Sequence, residues 1–180
     1  PSERLDLLGL SLAVLNDIGT TTQQKNIVAG YPHLPFGAPV IWPQQKETPI
    51  YHNRSIWPFV TAYWVKAAAK VDNDAAVTHG VMSLLRGASL NLSNMENLEL
   101  VSGKPYVDDG VYSGPVVNSQ RQLWSVAGYL SMVHEVLFGV RVSSEGLRLD
   151  PFMPLGLRNG MFASSDTIAL NGLNYRGKRF

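Results

Sequence analysis

The spacing of apolar residues divides this 180-residue chain into two parts with different periods. Up to about residue 138 they recur every three or four positions, and beyond residue 140 they alternate with polar residues. A helix buries one stripe with a period of 3.6 residues, whereas a strand buries every second residue. The pattern therefore predicts a mainly α-helical domain over residues 1–139 and the start of a β domain over residues 140–180.

Capping residues and glycines place four longer helices and one short helix in the first part. Ser2 and Ser55 are the predicted N-caps of the first and third helices, and Asp72 or Asn73 caps the fourth. The third and fifth helices are apolar on nearly every face, which predicts burial on all sides, whereas the fourth has one apolar stripe. The predicted helices are Ser2–Ile18, Thr22–Val28, Ser55–Val71, Asp74–Leu92, and a last one from a cap at Asn118 or Ser119 to Phe138.

A proline-rich segment separates the second and third predicted helices. Residues 31–49 contain Pro32, Pro35, Pro39, Pro43 and Pro49, and each proline removes a backbone donor and restricts the residue before it. This segment cannot be helical. Its aromatic side chains nevertheless predict an ordered loop.

Two strand pairs are predicted after residue 139. Val140–Val142 and Leu147–Asp150 flank a Ser143–Gly146 turn and form a hairpin. Near the end, an Asn171-Gly172 turn follows a strand and precedes one that is not completed. Because the chain also opens without a polar lead-in, we expect a segment of a longer polypeptide.

The composition excludes several classes of function. There is no cysteine, so disulfides, thiol nucleophiles and cysteine-bound metals are ruled out. The formal net charge is +1, which lacks the excess of positive charge typical of nucleic-acid-binding proteins. No apolar run is long enough for a membrane span. His33, His52, His79 and His134 lack metal-ligand spacing, so we expect no metal and no cofactor.

Three segments combine polar and aromatic residues at the ends of predicted helices. They are residues 51–58, 94–99 and 118–125, and in a helical-hairpin topology they lie at one end of the domain. For the first segment two interpretations stay open. His52 and Asn53 either tie loop backbone to the helix start, or they form a polar site against an aromatic wall, as is usual for a sugar.

Two of these segments resemble a known family. Tyr51-His52-Asn53 with Ser55-Ile56-Trp57-Pro58, and Gln122-Leu123-Trp124-Ser125-Val126-Ala127, resemble motifs in the last two hairpins of six-hairpin (α/α)6-barrel glycosidases. The pattern is similar to the glycogen-debranching, amylo-α-1,6-glucosidase type. The stretch Gly146–Pro154 resembles the passage from barrel to β-sandwich in related disaccharide phosphorylases, so the resemblance covers roughly residues 31–154.

The resemblance implies a fold, a reaction and a set of site residues. The fold would be the C-terminal hairpins of an (α/α)6 toroid followed by the start of a β-sandwich. The reaction would be inverting hydrolysis of a glycosidic bond, with Glu96 as general base, Glu99 as its competitor, and the general acid on an upstream segment. The implied substrate-binding residues are Tyr51, His52, Asn53, Arg54, Trp57, Gln122 and Trp124.

This sequence departs from the family pattern at two positions. Leu98 replaces an aromatic residue near Glu96, and Arg54 replaces a glycine of the first motif. An arginine there would narrow the pocket or add a cation near the substrate, which puts specificity for a linear α-glucan in doubt.

Three other functions compete with a glycosidase. An inverting phosphorylase would use phosphate in place of water, with His52 and Arg54 as its ligands. A non-catalytic carbohydrate-binding fragment and a plain helical interaction module are the others. The expected partners are an oligo- or polysaccharide and the remaining part of the same protein or a companion chain, without nucleic acid or membrane.

Overall fold

A computed structural model describes residues 3–45, 48–105, 110–112 and 118–180. Over these residues the chain is mainly helical, with 43% helix and 13% strand, which confirms the predicted class. A π-helical turn, Met132–Leu137, continues the fifth helix directly. The helices are α1 (Leu7–Leu15), α2 (Thr21–Gly30), α3 (Pro58–Lys70), α4 (Asp74–Asn91), α5 (Leu123–Ser131) and α6 (Leu155–Asn159), with a 3₁₀ turn at Gly110–Tyr112.

Short antiparallel strand pairs connect the loops between these helices. The first two pairs join distant parts of the helical region, and the last two are local hairpins. The pairs are β1 (Leu5–Asp6) with β2 (Ile41–Trp42), β3 (Ser55–Ile56) with β4 (Leu98–Glu99), β5 (Val140–Val142) with β6 (Leu147–Leu149), and β7 (Asn174–Tyr175) with β8 (Lys178–Arg179).

Helix α3 lies at the centre and contacts α1, α4 and α5. Trp64, Val65, Ala67 and Ala68 have no exposed surface, which confirms the predicted burial for most of this helix, whereas Tyr63 is 39% exposed and burial on all sides is therefore wrong. Small residues on the neighbours allow close approach. A Cβ built on Gly80 of α4 would lie 2.5 Å from Val65 Cγ2.

Helix α5 is less buried than the sequence predicts. It packs on α3 with one side, while Leu123, Trp124 and Leu130 remain exposed. It also begins at Leu123 rather than near Asn118, because residues 118–122 form a non-helical segment that hydrogen-bonds to the residues after α4. The predicted end is right, since Gly139 follows the π-helical turn with φ 60°.

Helix α3 begins three residues later than predicted, at Pro58. Ser55 does not cap it, because Ser55 belongs to β3 and its hydroxyl donates to the Tyr51 carbonyl. Trp57 occupies the N-cap position with extended backbone, and proline suits the first helical turn because it lacks the donor that would be unpaired there.

Helix α1 is shorter at both ends than the predicted Ser2–Ile18. Asp6 caps it by accepting from the Gly9 N–H at 2.6 Å, and Ser2 lies outside the described residues. The helix ends at Leu15, and Asp17 then adopts a left-handed φ of 57°.

The other helix predictions are closer to the structure. Helix α2 is one residue longer at its start and two at its end than Thr22–Val28, and Thr20 forms a capping box with Gln23. Asn73 caps α4, as predicted, by accepting from the Ala76 N–H at 3.0 Å.

The hairpin of β5 and β6 is confirmed, whereas the turn of the last hairpin was assigned wrongly. Arg176 and Gly177, with φ of 47° and 74°, form the turn between β7 and β8. A two-residue turn of this hand needs positive φ at both positions, and of Asn171 and Gly172 only the glycine has it.

Leu157 packs in the same core as α3 and α4, so a separate β domain over residues 140–180 stays a prediction.

The proline-rich loop is ordered over its described residues, as predicted, because α4 holds three consecutive carbonyls. His79 Nε2 donates to Leu34 O (2.8 Å), Arg86 Nη1 to Pro35 O (2.9 Å) and Ser83 Oγ to Phe36 O (2.7 Å). These side chains recur at i, i+4 and i+7 and therefore share one helix face.

A half-buried histidine pair completes this attachment. Trp64 Nε1 donates to His33 Nε2 (3.1 Å), and the rings of His33 and His79 meet edge to face with centroids 4.8 Å apart. Burial, reinforced by His79, lowers the pKa of His33 to about 4, although a backbone hydrogen bond at Tyr31 opposes the shift. Burial also lowers the pKa of His79. Both rings are therefore neutral near pH 7.

We expect Gly80→Ala to destabilise the protein by about 1–2 kcal/mol, because the added methyl group overlaps Val65. Chemical unfolding measures this change. The control is Gly30→Ala, where a Cβ meets nothing within 4 Å and the free energy of unfolding should not fall. Val65→Ala removes the clashing methyl group, so the double variant should be more stable than the sum of the single effects predicts. Strict additivity would contradict this account of the α3–α4 contact.

We expect acid to destabilise the protein through His33. The unfolded chain takes up the His33 proton near pH 6.5 and the folded chain only near pH 4, so stability falls between these values as pH decreases. Because the ring is partly exposed, we expect a loss on the order of 1 kcal/mol between pH 7 and pH 5. Urea unfolding at both pH values should show a smaller loss for His33→Gln, whose amide oxygen can still accept from Trp64. An equal loss in both proteins would contradict the assignment.

Candidate functional site

Three polar segments meet beside the N-terminal end of α3. Strands β3 and β4 place Ser55 opposite Glu99, which joins the segment before α3 to the segment after α4. The Gln122 N–H donates to the Asn94 carbonyl at 2.9 Å, which joins the segment after α4 to the one before α5. Backbone pairing thus brings together the three segments that the sequence marks as candidates.

Glu96 is the carboxylate at this meeting point. Only 7% of its surface is exposed. The Tyr51 hydroxyl donates to its Oε1 at 3.0 Å, and the Ser119 backbone N–H donates to its Oε2 at 2.9 Å. Two donors from different segments therefore fix the orientation of the carboxylate. Each oxygen retains the capacity to accept a further donor such as water.

Five rings form a continuous aromatic cluster beside Glu96. His52 stacks on Trp57 with centroids 4.8 Å apart, and Phe59 stacks on Trp124 at the same separation. Tyr51 meets Trp57 edge-on at 4.9 Å, so the cluster leads directly to the hydroxyl that contacts Glu96. Trp124 is 44% exposed, which leaves part of its ring open to a ligand. The aromatic cluster consists of Tyr51, His52, Trp57, Phe59 and Trp124.

Trp57 fixes the geometry of this cluster. Its indole Nε1 donates to the Tyr51 carbonyl (3.0 Å) and to Ser55 Oγ (2.9 Å), and the side chain is nearly buried. Trp57 is therefore a buried member of the cluster, whereas His52 and Trp124 are its exposed members.

Glu99 occupies a different environment from Glu96. Its Oε2 accepts from the Val101 N–H (3.0 Å) and from both the N–H and the hydroxyl of Ser102 (2.7 Å each). Its Oε1 lies 3.8 Å from Arg54 Nη2. Glu99 thus organises its own turn, while Glu96 contacts the aromatic cluster.

Asn53 and Arg54 also stabilise the loops around the site. The Asn53 amide accepts from the Gln45 N–H (2.8 Å) and donates to the carbonyls of Gln45 (3.1 Å) and Thr48 (2.9 Å). This geometry favours the interpretation that Asn53 ties loop backbone to the start of α3. Arg54 adopts a left-handed φ of 57°, and its guanidinium lies beside Glu99.

Gln122 lies at the junction of the site with α5. Its carbonyl accepts from the N–H groups of Ser125 and Val126 at 3.1 Å each, so the non-helical segment ends at Gln122 and the helix starts there. Trp124 follows in the first turn, which carries its ring to the aromatic cluster.

The environment of Tyr51 keeps its hydroxyl protonated. Burial raises its pKa, and the hydrogen bond and the negative charge of Glu96 raise it further. A neutral tyrosine can donate to Glu96 over the whole physiological pH range, which is what the observed hydrogen bond requires.

Sequence reasoning missed two parts of the site. Ser119 was predicted as a helix cap, yet its backbone N–H holds the Glu96 carboxylate, a role that carries no side-chain signal. Phe59 was assigned to the helix core, although it lies two residues after Trp57 and stacks on Trp124. The sequence Trp57-Pro58-Phe59 at the helix start was the signal that could have placed Phe59 near Trp57 in the site.

Comparisons with known proteins give no match: no family model, no curated protein and no solved structure is similar to this chain. Within the ranges that the structure describes, no three acidic or histidine side chains are grouped so that they could hold a metal ion. No helix in those ranges is long and apolar enough to cross a bilayer.

We expect Asn53→Ala to destabilise the protein by about 2–3 kcal/mol, because it removes three hydrogen bonds and leaves partly buried backbone groups unpaired. The Gln45 amide should exchange its hydrogen faster, since it loses its acceptor. Asn16→Ala is a matched control, because Asn16 Nδ2 also donates to a carbonyl, that of Leu12, but at an exposed position. Unchanged protection of the Gln45 amide would contradict the anchoring role.

Proposed function

We propose that this chain is part of an inverting glycoside hydrolase in which Glu96 is the general base. The observation that carries the proposal is the Glu96 carboxylate, held by Tyr51 and Ser119 at the edge of the aromatic cluster. A base beside an aromatic wall suits an uncharged sugar, whose C–H face packs on rings while its hydroxyls meet polar groups. The resemblance of residues 51–58 and 122–127 to six-hairpin glycosidase motifs supports the same class.

Each group has a defined task in this reaction. Glu96 accepts a proton from a water molecule, and the resulting hydroxide attacks the anomeric carbon. Tyr51 and Ser119 act through Glu96 as positioning groups. A second carboxyl group, about 6.5–9.5 Å from Glu96, protonates the leaving oxygen, and an upstream segment would supply it.

The surroundings of Glu96 and Glu99 favour Glu96 as the base. Glu99 Oε2 already accepts three hydrogen bonds within its own turn, and Glu99 Oε1 lies 3.8 Å from Arg54 Nη2. A base must reach a water molecule next to the substrate. Glu96 adjoins the aromatic cluster that would hold that substrate.

The helices support the barrel part of the proposal. Central α3 packs among three helices, and the exposed apolar side chains of α5 are those expected on a helix that other elements cover. In an (α/α)6 toroid, further hairpins of the same protein, or a companion chain, would occupy that face. The β5–β6 hairpin would then belong to the start of the β-sandwich.

A phosphorylase is the second candidate, with His52 and Arg54 as phosphate ligands. His52 is exposed at the outer face of the aromatic cluster, which favours access to an anion. Arg54 is instead directed to Glu99 at 3.8 Å, which weakens this alternative. A non-catalytic carbohydrate-binding fragment would keep the aromatic cluster but need no base.

We expect Glu96→Gln in the full-length polypeptide to lower kcat by about 10²–10⁴-fold on α-glucosides, with KM little changed, because the amide cannot accept the proton of water. Glu99→Gln is the matched control. It should lower the melting temperature but keep kcat of the folded enzyme within about tenfold.

Turnover measured with and without inorganic phosphate separates the alternatives. Hydrolysis that needs no phosphate and is lost in Glu96→Gln supports the proposal. Phosphate-dependent turnover would favour the phosphorylase, and saccharide binding without turnover would favour the carbohydrate-binding fragment. A Glu96→Gln variant that keeps most of its kcat would overturn the assignment of the base.

A further inference from the structure

A groove with polar and charged walls lies at the opposite end of α3 from Glu96. Its volume is about 540 Å³, within the usual range of small-molecule sites. Helix α3 has 13 residues and is roughly 20 Å long, with Phe59 near its start and Lys70 at its end. No residue of the aromatic cluster lines this groove, which we call the distal groove.

Two lysines of the otherwise apolar α3 face the distal groove. Lys66 and Lys70 are four residues apart, so they project from one face of the helix. Lys66 Nζ lies 2.8 Å from Glu135 Oε2, and Lys70 Nζ contacts Asp17 Oδ1 (2.8 Å) and the Leu15 carbonyl (2.9 Å). Each ammonium has three donors, so both lysines keep capacity for a ligand.

The π-helical turn supplies the acidic side of the groove. Phe138 N–H donates to the Val133 carbonyl, five residues back, which widens this turn. Such turns frequently occur at functional sites. Ser131 Oγ donates to Glu135 Oε1 (2.9 Å), and the Arg141 guanidinium donates to the Glu135 carbonyl.

Glu135 stays charged in this setting. Burial alone would raise its pKa, but hydrogen bonds from Lys66 and Ser131 and the charges of Lys66 and Arg141 outweigh burial and lower it. The Lys66–Glu135 ion pair is therefore intact at neutral pH.

The charges that line the distal groove balance. Lys66, Lys70 and Arg141 oppose Asp72, Glu135 and Asp150, so the groove offers no net attraction to an anion or a cation. Donors and acceptors both line the groove, together with apolar side chains that include Leu15 and Phe152. A hydroxyl group both donates and accepts, so the hydroxyls of a polyol can use both kinds of partner, while C–H groups pack on the apolar part.

From this arrangement we propose that the distal groove binds a neutral saccharide at a site separate from Glu96. The proposal goes beyond the function of Glu96, because it requires binding at the far end of α3 and no bond cleavage there. Its failure and the failure of the base assignment are independent, since one is read from binding at the groove and the other from turnover.

The test is a titration of the full-length protein with maltotriose, followed by nuclear magnetic resonance. We expect the signals of Lys70, Asp72 and Arg141 to shift with saturation. The described part of the groove contains no tryptophan, so the indole signals of Trp57 and Trp124 report separately on the Glu96 site. Glucose and inorganic phosphate are the comparison probes.

Two variants sharpen this test. Asp72→Asn removes an exposed acceptor charge and keeps the shape, and asparagine tolerates the left-handed φ of 58° at this position. Lys70→Met removes a donor and keeps most of the side-chain length. Each should weaken maltotriose binding at the groove at least about fivefold, whereas Lys25→Met, an exposed lysine on α2, should not change it.

Melting temperatures show whether each variant is folded, and Asp72→Asn keeps the test valid if Lys70→Met unfolds. Shifts confined to the Trp57 and Trp124 indoles would overturn the proposal. Equal or stronger shifts of the groove signals with phosphate would overturn it too, because the balanced charge would then not determine the ligand.

Discussion

The burial of most of α3 is the constraint on which the rest of the structure depends. A helix that is apolar on nearly every side cannot meet water without losing the free energy of its buried surface, about 25 cal/mol for each Å². Helices α1, α4 and α5 therefore surround it, and glycines at the contacts allow the approach. Because α3 is fixed along its length, its two ends are fixed as well.

At the N-terminal end of α3, backbone pairing brings together the segments that position the Glu96 carboxylate. Glu96 lies in a loop, yet its carboxylate is bound by Tyr51 from one segment and by Ser119 from another. The β3–β4 pair and the Gln122–Asn94 hydrogen bond keep those segments in register. A carboxylate held in this way is oriented before any ligand arrives, and orientation in advance is what an acid–base group needs.

The attachment of the proline-rich loop illustrates how far sequence reasoning reaches. Prolines exclude a helix and aromatic residues indicate order, and both expectations hold. The periodic placement of His79, Ser83 and Arg86 on α4 was visible in the sequence. Their partners were not, because Leu34, Pro35 and Phe36 contribute carbonyl oxygens that every residue possesses.

The wrongly predicted starts of α3 and α5 have one physical origin. Ser55 and the residues before Leu123 have side chains that favour capping. In the folded structure, however, strand pairing and hydrogen bonds between loops engage these residues instead. A cap contributes about 1 kcal/mol, and a network of tertiary hydrogen bonds contributes more. At these two helix starts, tertiary hydrogen bonds therefore override the local capping preference. At Asn73 and Thr20 the capping preference is followed, and the described structure shows their cap hydrogen bonds.

The sequence by itself determined the helical class, the burial of α3, the ordered proline-rich loop and the segments that contain the candidate site. Those features follow from periodicity and from residue chemistry, which act locally. Only the tertiary structure decided that Glu96 contacts the aromatic cluster while Glu99 binds its own turn, and that Lys66, Lys70 and Glu135 meet at the distal groove. Two glutamates three positions apart in one loop have the same local signals. The partners that distinguish them come from distant segments, which only the folded chain brings together.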